Sequence, residues 1–146
     1  MVKVAGTSIV QLRRAVKGAV IVPDDAGYED ARKVWLKGVD RRPRAIVRTA
    51  DREDVARVVA MAGEEGIELA VRSGGHSFGG YGTSEGGVVI DLSDMKGLEI
   101  DLEGRTAWAE TGLTAGEYTA AVGAHGMATP LGDSPTVGLG GLTLGG

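Results

Sequence analysis

No cysteine occurs among the 146 residues, which removes disulfides, thiolate metal ligands and a cysteine nucleophile. Histidine is almost as scarce. His76 and His125 stand alone, so no histidine-rich zinc site can be assembled. Long apolar runs are also missing: the longest near the start, residues 19–22, is far too short for a signal h-region or a membrane span. Arg13-Arg14 resembles a twin-arginine signal on its surface, but Lys17, Gly18 and Pro23 interrupt the segment after it. A chain without cysteine is compatible with any redox compartment, and cytoplasmic residence with no membrane partner is the expectation. The 16 basic and 20 acidic residues leave a net charge of −4. The basic residues are scattered as Arg13-Arg14, Arg41-Arg42 and single lysines, without the clustering among aromatics that a phosphate-backbone groove uses, so no nucleic-acid partner is expected.

Glycine is the residue in excess. The 25 glycines far exceed the usual share of about 7%, yet they follow no repeat period and proline is scarce. Neither a collagen-like nor a linker-like reading fits. They crowd into residues 74–87 and 138–146, as loops shaped for close approach do. In Val71-Arg72-Ser73-Gly74-Gly75-His76-Ser77 a histidine sits in a glycine turn directly after an apolar run that reads as a buried strand. Paired glycines permit positive φ and let successive N–H groups converge on an anion, with Arg72 and Ser73 adding charge and a hydroxyl donor. His76 is then either a nucleophile in that cradle or a histidine hydrogen-bonded to its own turn. The second cluster, residues 135–146, reads either as a flexible glycine loop or as a second backbone wall. It is not the dinucleotide fingerprint, because Thr143 stands where the third glycine belongs and no clear strand precedes it. No Gly-Lys-Ser/Thr phosphate loop is present.

Length suits one ordinary domain. Residues 7–16 read as a short amphipathic helix, residues 19–22 as a strand stopped by Pro23, and residues 29–37 as a helix with Ala31, Val34 and Trp35 on one face. Residues 45–47 make a second strand. Asp51 with Asp54 opens a helix carrying Val55, Val58, Val59 and Ala62, which ends near residues 63–66. A third strand over 67–71 completes a strand-helix-strand unit with a right-handed crossover, whose strands would deliver His76 to their carboxyl ends. Residues 88–92, 98–100 and 106–109 read as a second run of short strands. Thr114 and Glu117 form a capping box opening a helix to about His125, itself expected to be structural at the helix C-terminus. Two lobes are expected: residues 1–17 add an N-terminal helix to a small parallel α/β lobe reaching about residue 84, and an antiparallel lobe begins at about 85.

The motifs in order, residues 18–23 with Asp25, Tyr28, Arg32 and Trp35, then Arg41-Arg42-Pro43 and Ile46-Val47, then Arg72-Ser73-Gly74-Gly75-His76-Ser77, then residues 135–146, resemble the FAD-linked oxidases of the vanillyl-alcohol-oxidase type. Within that type the likeness is to the berberine-bridge-enzyme-like branch. The resemblance implies an α+β, PCMH-type FAD-binding fold over residues 18–146, incomplete here. It implies cofactor contacts from Arg72, Ser73, Gly74, Gly75, His76 and Ser77, and from Ser134, Pro135, Thr136, Gly138, Gly140, Gly141 and Gly145. In such enzymes the histidine of this motif joins covalently to the 8α-methyl of the flavin, a role open to a neutral imidazole near pH 7. Branch members with a second link carry a cysteine where this chain has Ser134, a far weaker nucleophile, so one covalent bond is expected. Asp133 and Ser134 either hydrogen-bond near the ring or merely shape the turn. Leu36 stands where the family often has asparagine.

The resemblance further implies hydride transfer from an alcohol-like small-molecule substrate to flavin and on to O₂. The substrate domain and catalytic base of such enzymes lie in later segments, so the chain is expected to be part of an enzyme, completed by a missing segment or by a second polypeptide. The alternative is an FAD- or phosphate-binding module without turnover.

Overall fold

The computed structural model describes residues 9–145. Helix α1 (Ile9–Ala15) leads to strand β1 (Ala19–Ile21), and Thr7 and Ser8 of the expected helix lie outside the described residues. Then come α2 (Tyr28–Ala31), β2 (Ala45–Arg48), α3 (Arg52–Glu65), β3 (Leu69–Arg72) and β4 (Val88–Asp91). The hairpin β5 (Leu98–Asp101) and β6 (Thr106–Ala109) precedes α4 (Ala115–Gly123) and α5 (Leu139–Gly145).

The main sheet has the order β1-β2-β4-β3, with β1 antiparallel and the other three parallel. Period-2 alternation divides its side chains between two apolar layers. Ala45, Val47, Val88 and Ile90 pack with Leu12, Val16 and Val58 of the helical side, while Ile46, Val89 and Ala70 pack with Tyr28 and Ala31 on the other. Both faces being covered, the parallel strands carry continuous apolar runs.

The strand over 88–92 belongs to this sheet and not to the later antiparallel run. All four residues of β4 are buried, whereas β5 and β6 alternate between half-buried and exposed positions. A strand flanked by neighbours on both edges and helices on both faces must be apolar throughout; Val88-Val89-Ile90 satisfies that, and Leu98-Glu99-Ile100 does not. Consequently β2 and β3, the strands joined by α3, are separated by β4 rather than adjacent.

Capping chemistry sets the helix ends. Asp51 accepts the N–H of Asp54 at 2.9 Å to open α3, and Gly66 at φ 64° closes it. Buried Asp54 then ties α3 to the entry of β1 by accepting from the N–H groups of Lys17 (2.9 Å), Gly18 (2.8 Å) and Ala50 (3.1 Å). Thr114 and Glu117 form the capping box of α4, which stops at Gly123 with exposed His125 just beyond. Helix α2 is far shorter than residues 29–37. Its last carbonyl and one just past its end are taken by a side chain: the Arg72 guanidinium donates to Ala31 O (2.7 Å) and Lys33 O (3.3 Å), and Trp35 N–H turns away to Gly75 O (3.1 Å). Residues 139–145, expected as a loop or wall, are helical. Their start is anchored by Leu139 N–H to Leu113 O (2.8 Å), Ala115 N–H to Val137 O (2.8 Å) and a bridge between Thr114 and Gly138, which offsets the poor helix propensity of the glycines.

Candidate functional site

The parallel strands end in a row of charge. In register across the sheet stand Arg48, Asp91 and Arg72, with Arg72 Nη2 2.7 Å and Arg48 Nε 3.7 Å from Asp91 Oδ2. Arg72 is 7% exposed and its guanidinium is spent on Asp91, Ala31 and Lys33, so it braces the turn rather than offering its charge to an anion. The cradle must rely on the residues after it.

Directly after β3 the chain turns at Gly74 and Gly75, the latter at φ 71°, where a β-carbon is strained. Gly74 is demanded by packing. A Cβ there would lie 2.3 Å from Gly138 N and 2.8 Å from Thr136 O, because the two glycine segments, remote in sequence, touch backbone to backbone. Ser73 donates its hydroxyl to Thr111 O, and Ser77 Oγ accepts Tyr81 N–H at 3.2 Å, so both serines stiffen the turn.

Between the two segments lies a cleft of about 580 Å³, within the range of small-molecule and cofactor sites. Arg72, Ser73, Gly74, Gly75, His76 and Ser77 form one wall; Ser134, Gly138, Gly141 and Gly145 contribute to the other, with Asp133 beside them. Three expected residues do not line it. Pro135 packs under α4, its carbonyl accepting Gly116 N–H (2.9 Å); Gly140 abuts Thr111; and Thr136 hydrogen-bonds to His76, with Oγ1 2.9 Å from Nε2. His76 is therefore held by the second segment and not by its own turn. Ser134 Oγ stands 3.4 Å behind Thr136 Oγ1.

Three aromatic residues of the rim are not identified by the sequence. Trp35, expected on one face of a helix over 29–37, is 54% exposed and stacks on the His76 ring with centroids 5.0 Å apart and planes 20° apart. Phe78 meets it edge-on at 6.0 Å, and Tyr81 lies close by, 81% and 79% exposed respectively. For Phe78 and Tyr81 the signal was an aromatic two and five residues after the motif histidine.

Gly141 and Gly145 test whether a large ligand fits. A Cβ at either would meet no protein atom within 4 Å, so the fold itself does not need a glycine there, while helix propensity argues against one. Bare backbone on a cleft wall is what close approach of a flat or phosphate-bearing group requires. Among the described residues no cluster of acidic and histidine side chains could hold a metal, and no helix is long and apolar enough to cross a membrane.

The sequence matches the family described as FAD binding domain over residues 43–146. It is 38% identical over 132 residues to (R)-6-hydroxynicotine oxidase of Paenarthrobacter nicotinovorans, covering 90% of this chain and 29% of that protein. To berberine bridge enzyme-like 18 of Arabidopsis thaliana it is 36% identical over 109 residues, covering 72% and 20%. The backbone is similar to that of Physcomitrella patens BBE-like 1, with a TM-score of 0.85 and 27% identity over 92% of this chain and 30% of that one. The chain thus spans less than a third of the length of these relatives. Motif, backbone and cleft agree, and the chain belongs to the FAD-binding domains of the vanillyl-alcohol-oxidase superfamily, with the PCMH-type α+β fold and the berberine-bridge-enzyme-like proteins among its relatives.

Proposed function

We propose that this chain holds the cofactor of an FAD-dependent oxidase of the berberine-bridge-like type, with FAD joined through one covalent bond to His76. The observation that carries the reading is the convergence of two glycine segments on one cleft, with the His76 imidazole oriented inside it by Thr136. The chemistry such a group supplies is acceptance of a hydride equivalent from an alcohol-like carbon and delivery of the electrons to O₂ as peroxide. The chain's own part is to bind and orient. Gly141 and Gly145 offer bare backbone, Trp35 stacks on the imidazole, and the Arg72–Asp91 pair fixes the strand ends from which the turn departs.

Attachment joins an imidazole nitrogen to the 8α carbon. The imidazole would give up one hydrogen and the methyl another, and O₂ would take both with the two electrons as peroxide. Ser134 in place of a cysteine limits the count to one bond, since an un-ionised hydroxyl does not compete as a nucleophile. A further segment or second polypeptide supplying the substrate pocket and catalytic base belongs to the same reading, given the share of its relatives that the chain spans.

The deciding experiment is the denatured intact mass of the natural polypeptide and of its His76→Ala variant, with peroxide assayed on alcohols, sugars and reduced aromatics. A mass raised by one FAD in the wild type and not in the variant is expected, together with peroxide on some substrate. Covalent flavin retained in the variant overturns the assignment of His76. Bound flavin without peroxide on any substrate favours a binding module without turnover.

A further inference from the structure

His76 is held at more points than an unspecialised turn histidine needs. The Trp35 indole covers one face of its ring, and Trp35 N–H ties to Gly75 O at 3.1 Å, so stack and turn move together. Nε2 meets Thr136 Oγ1 at 2.9 Å, with Ser134 Oγ 3.4 Å further back. These are the hydrogen-bonding contacts of the ring among the described residues, and they leave Nδ1 without a protein partner. Which imidazole nitrogen carries the proton is set by the partner of the other. A hydroxyl both donates and accepts; with its own hydrogen directed to Ser134 Oγ, Thr136 accepts from Nε2, which keeps the proton there and leaves the Nδ1 lone pair free. Thr136 is itself kept in place by the backbone contact of its carbonyl with Gly74 and by the bridge from Thr114 to Gly138.

We propose that Thr136 is a positioning residue for His76, whose hydroxyl keeps the imidazole proton on Nε2 and thereby presents Nδ1 as the free nucleophilic nitrogen in the cleft. The inference rests on the reading of His76 as the attachment point. It gives that reading a residue that does not line the cleft itself and acts through the His76 ring.

Two readouts on the natural polypeptide test it. In the cofactor-free protein, ¹⁵N spectra of the His76 ring report the tautomer: wild type and Thr136→Ser show the Nε2–H form, and Thr136→Val shows a gain of the Nδ1–H form. On adding FAD, covalent attachment followed by denatured mass is about tenfold slower in Thr136→Val, the loss of one hydrogen bond of about 1.4 kcal/mol, and close to wild type in Thr136→Ser. Thr136 is exposed, so both variants are expected to fold; if valine disrupts the turn, Thr136→Ala replaces it in the same comparison. Attachment by the hydroxyl-free variant at the wild-type rate overturns the proposal and leaves the covalent reading standing. A wild-type ring in the Nδ1–H form also overturns it. Wild-type protein that never forms the bond with FAD overturns the covalent reading, while the tautomer still decides whether Thr136 sets the proton.

Discussion

Two glycine-to-alanine changes separate glycines the fold needs from glycines reserved for the ligand. At Gly141 a methyl meets no protein atom within 4 Å, and alanine in a helix is favoured by about 0.5–1 kcal/mol. Gly141→Ala should therefore raise the cofactor-free Tm by roughly 1–4 °C, taking about 2–4 °C per kcal/mol for a chain of this size. The same methyl enters the cleft. If a flavin packs against that wall, overpacking of about 1–3 kcal/mol weakens binding by roughly 5- to 150-fold. At Gly74 the methyl would stand 2.3 Å from Gly138 N, a backbone atom that cannot rotate aside. The two segments must part, at about 1–3 kcal/mol for the clash and about 1 kcal/mol more for the His76–Thr136 bond. Gly74→Ala should lower Tm by roughly 4–16 °C. Thermal melts of cofactor-free protein, and FAD titration by fluorescence quenching in a His76→Ala background so that attachment does not mask affinity, measure both effects. Gly141→Ala that binds FAD as tightly as its parent refutes the assignment of α5 as the cofactor wall, and Gly74→Ala with unchanged Tm refutes the contact between the segments.

Burial alone would raise the Asp54 carboxyl, but the N–H groups of Lys17, Gly18 and Ala50 outweigh it and hold its pKa below the ordinary value. A depressed carboxyl stabilises above its unfolded value near 4 and loses that contribution as pH falls through the folded value. Tm should accordingly drop on acidification below about pH 4, and Asp54→Asn should cost about 2–3 kcal/mol at pH 7 with a flatter acid limb, read by melts across pH. Tyr28, 1% exposed, donates its hydroxyl to Pro43 O at 2.7 Å; Tyr28→Phe orphans that carbonyl and should cost about 1–3 kcal/mol in urea unfolding. Arg72→Met leaves buried Asp91 with only the longer Arg48 contact at 3.7 Å and should destabilise by up to about 3–5 kcal/mol, with Arg72→Met/Asp91→Leu recovering much of it in a double-mutant cycle.

What the sequence by itself determined is local. Asp51, Gly66 and the Thr114–Glu117 pair mark helix ends because each acts within one turn of its own position, and the glycine motifs carried family and cofactor because their letters are constrained by the backbone they build. Only the tertiary structure decided the rest. The apolar run of β4 said that it was buried, but its seat between β2 and β3 depends on which strands find it across the sheet. Helix α2 ends where Arg72, 41 residues away from Ala31, caps its last carbonyl, and that same commitment removes Arg72 as a free charge. Trp35 and Thr136 become the supports of His76 across comparable distances, Thr136 from 60 residues further on. Periodicity and capping describe interactions among near neighbours; these contacts exist only once the sheet has brought remote segments together.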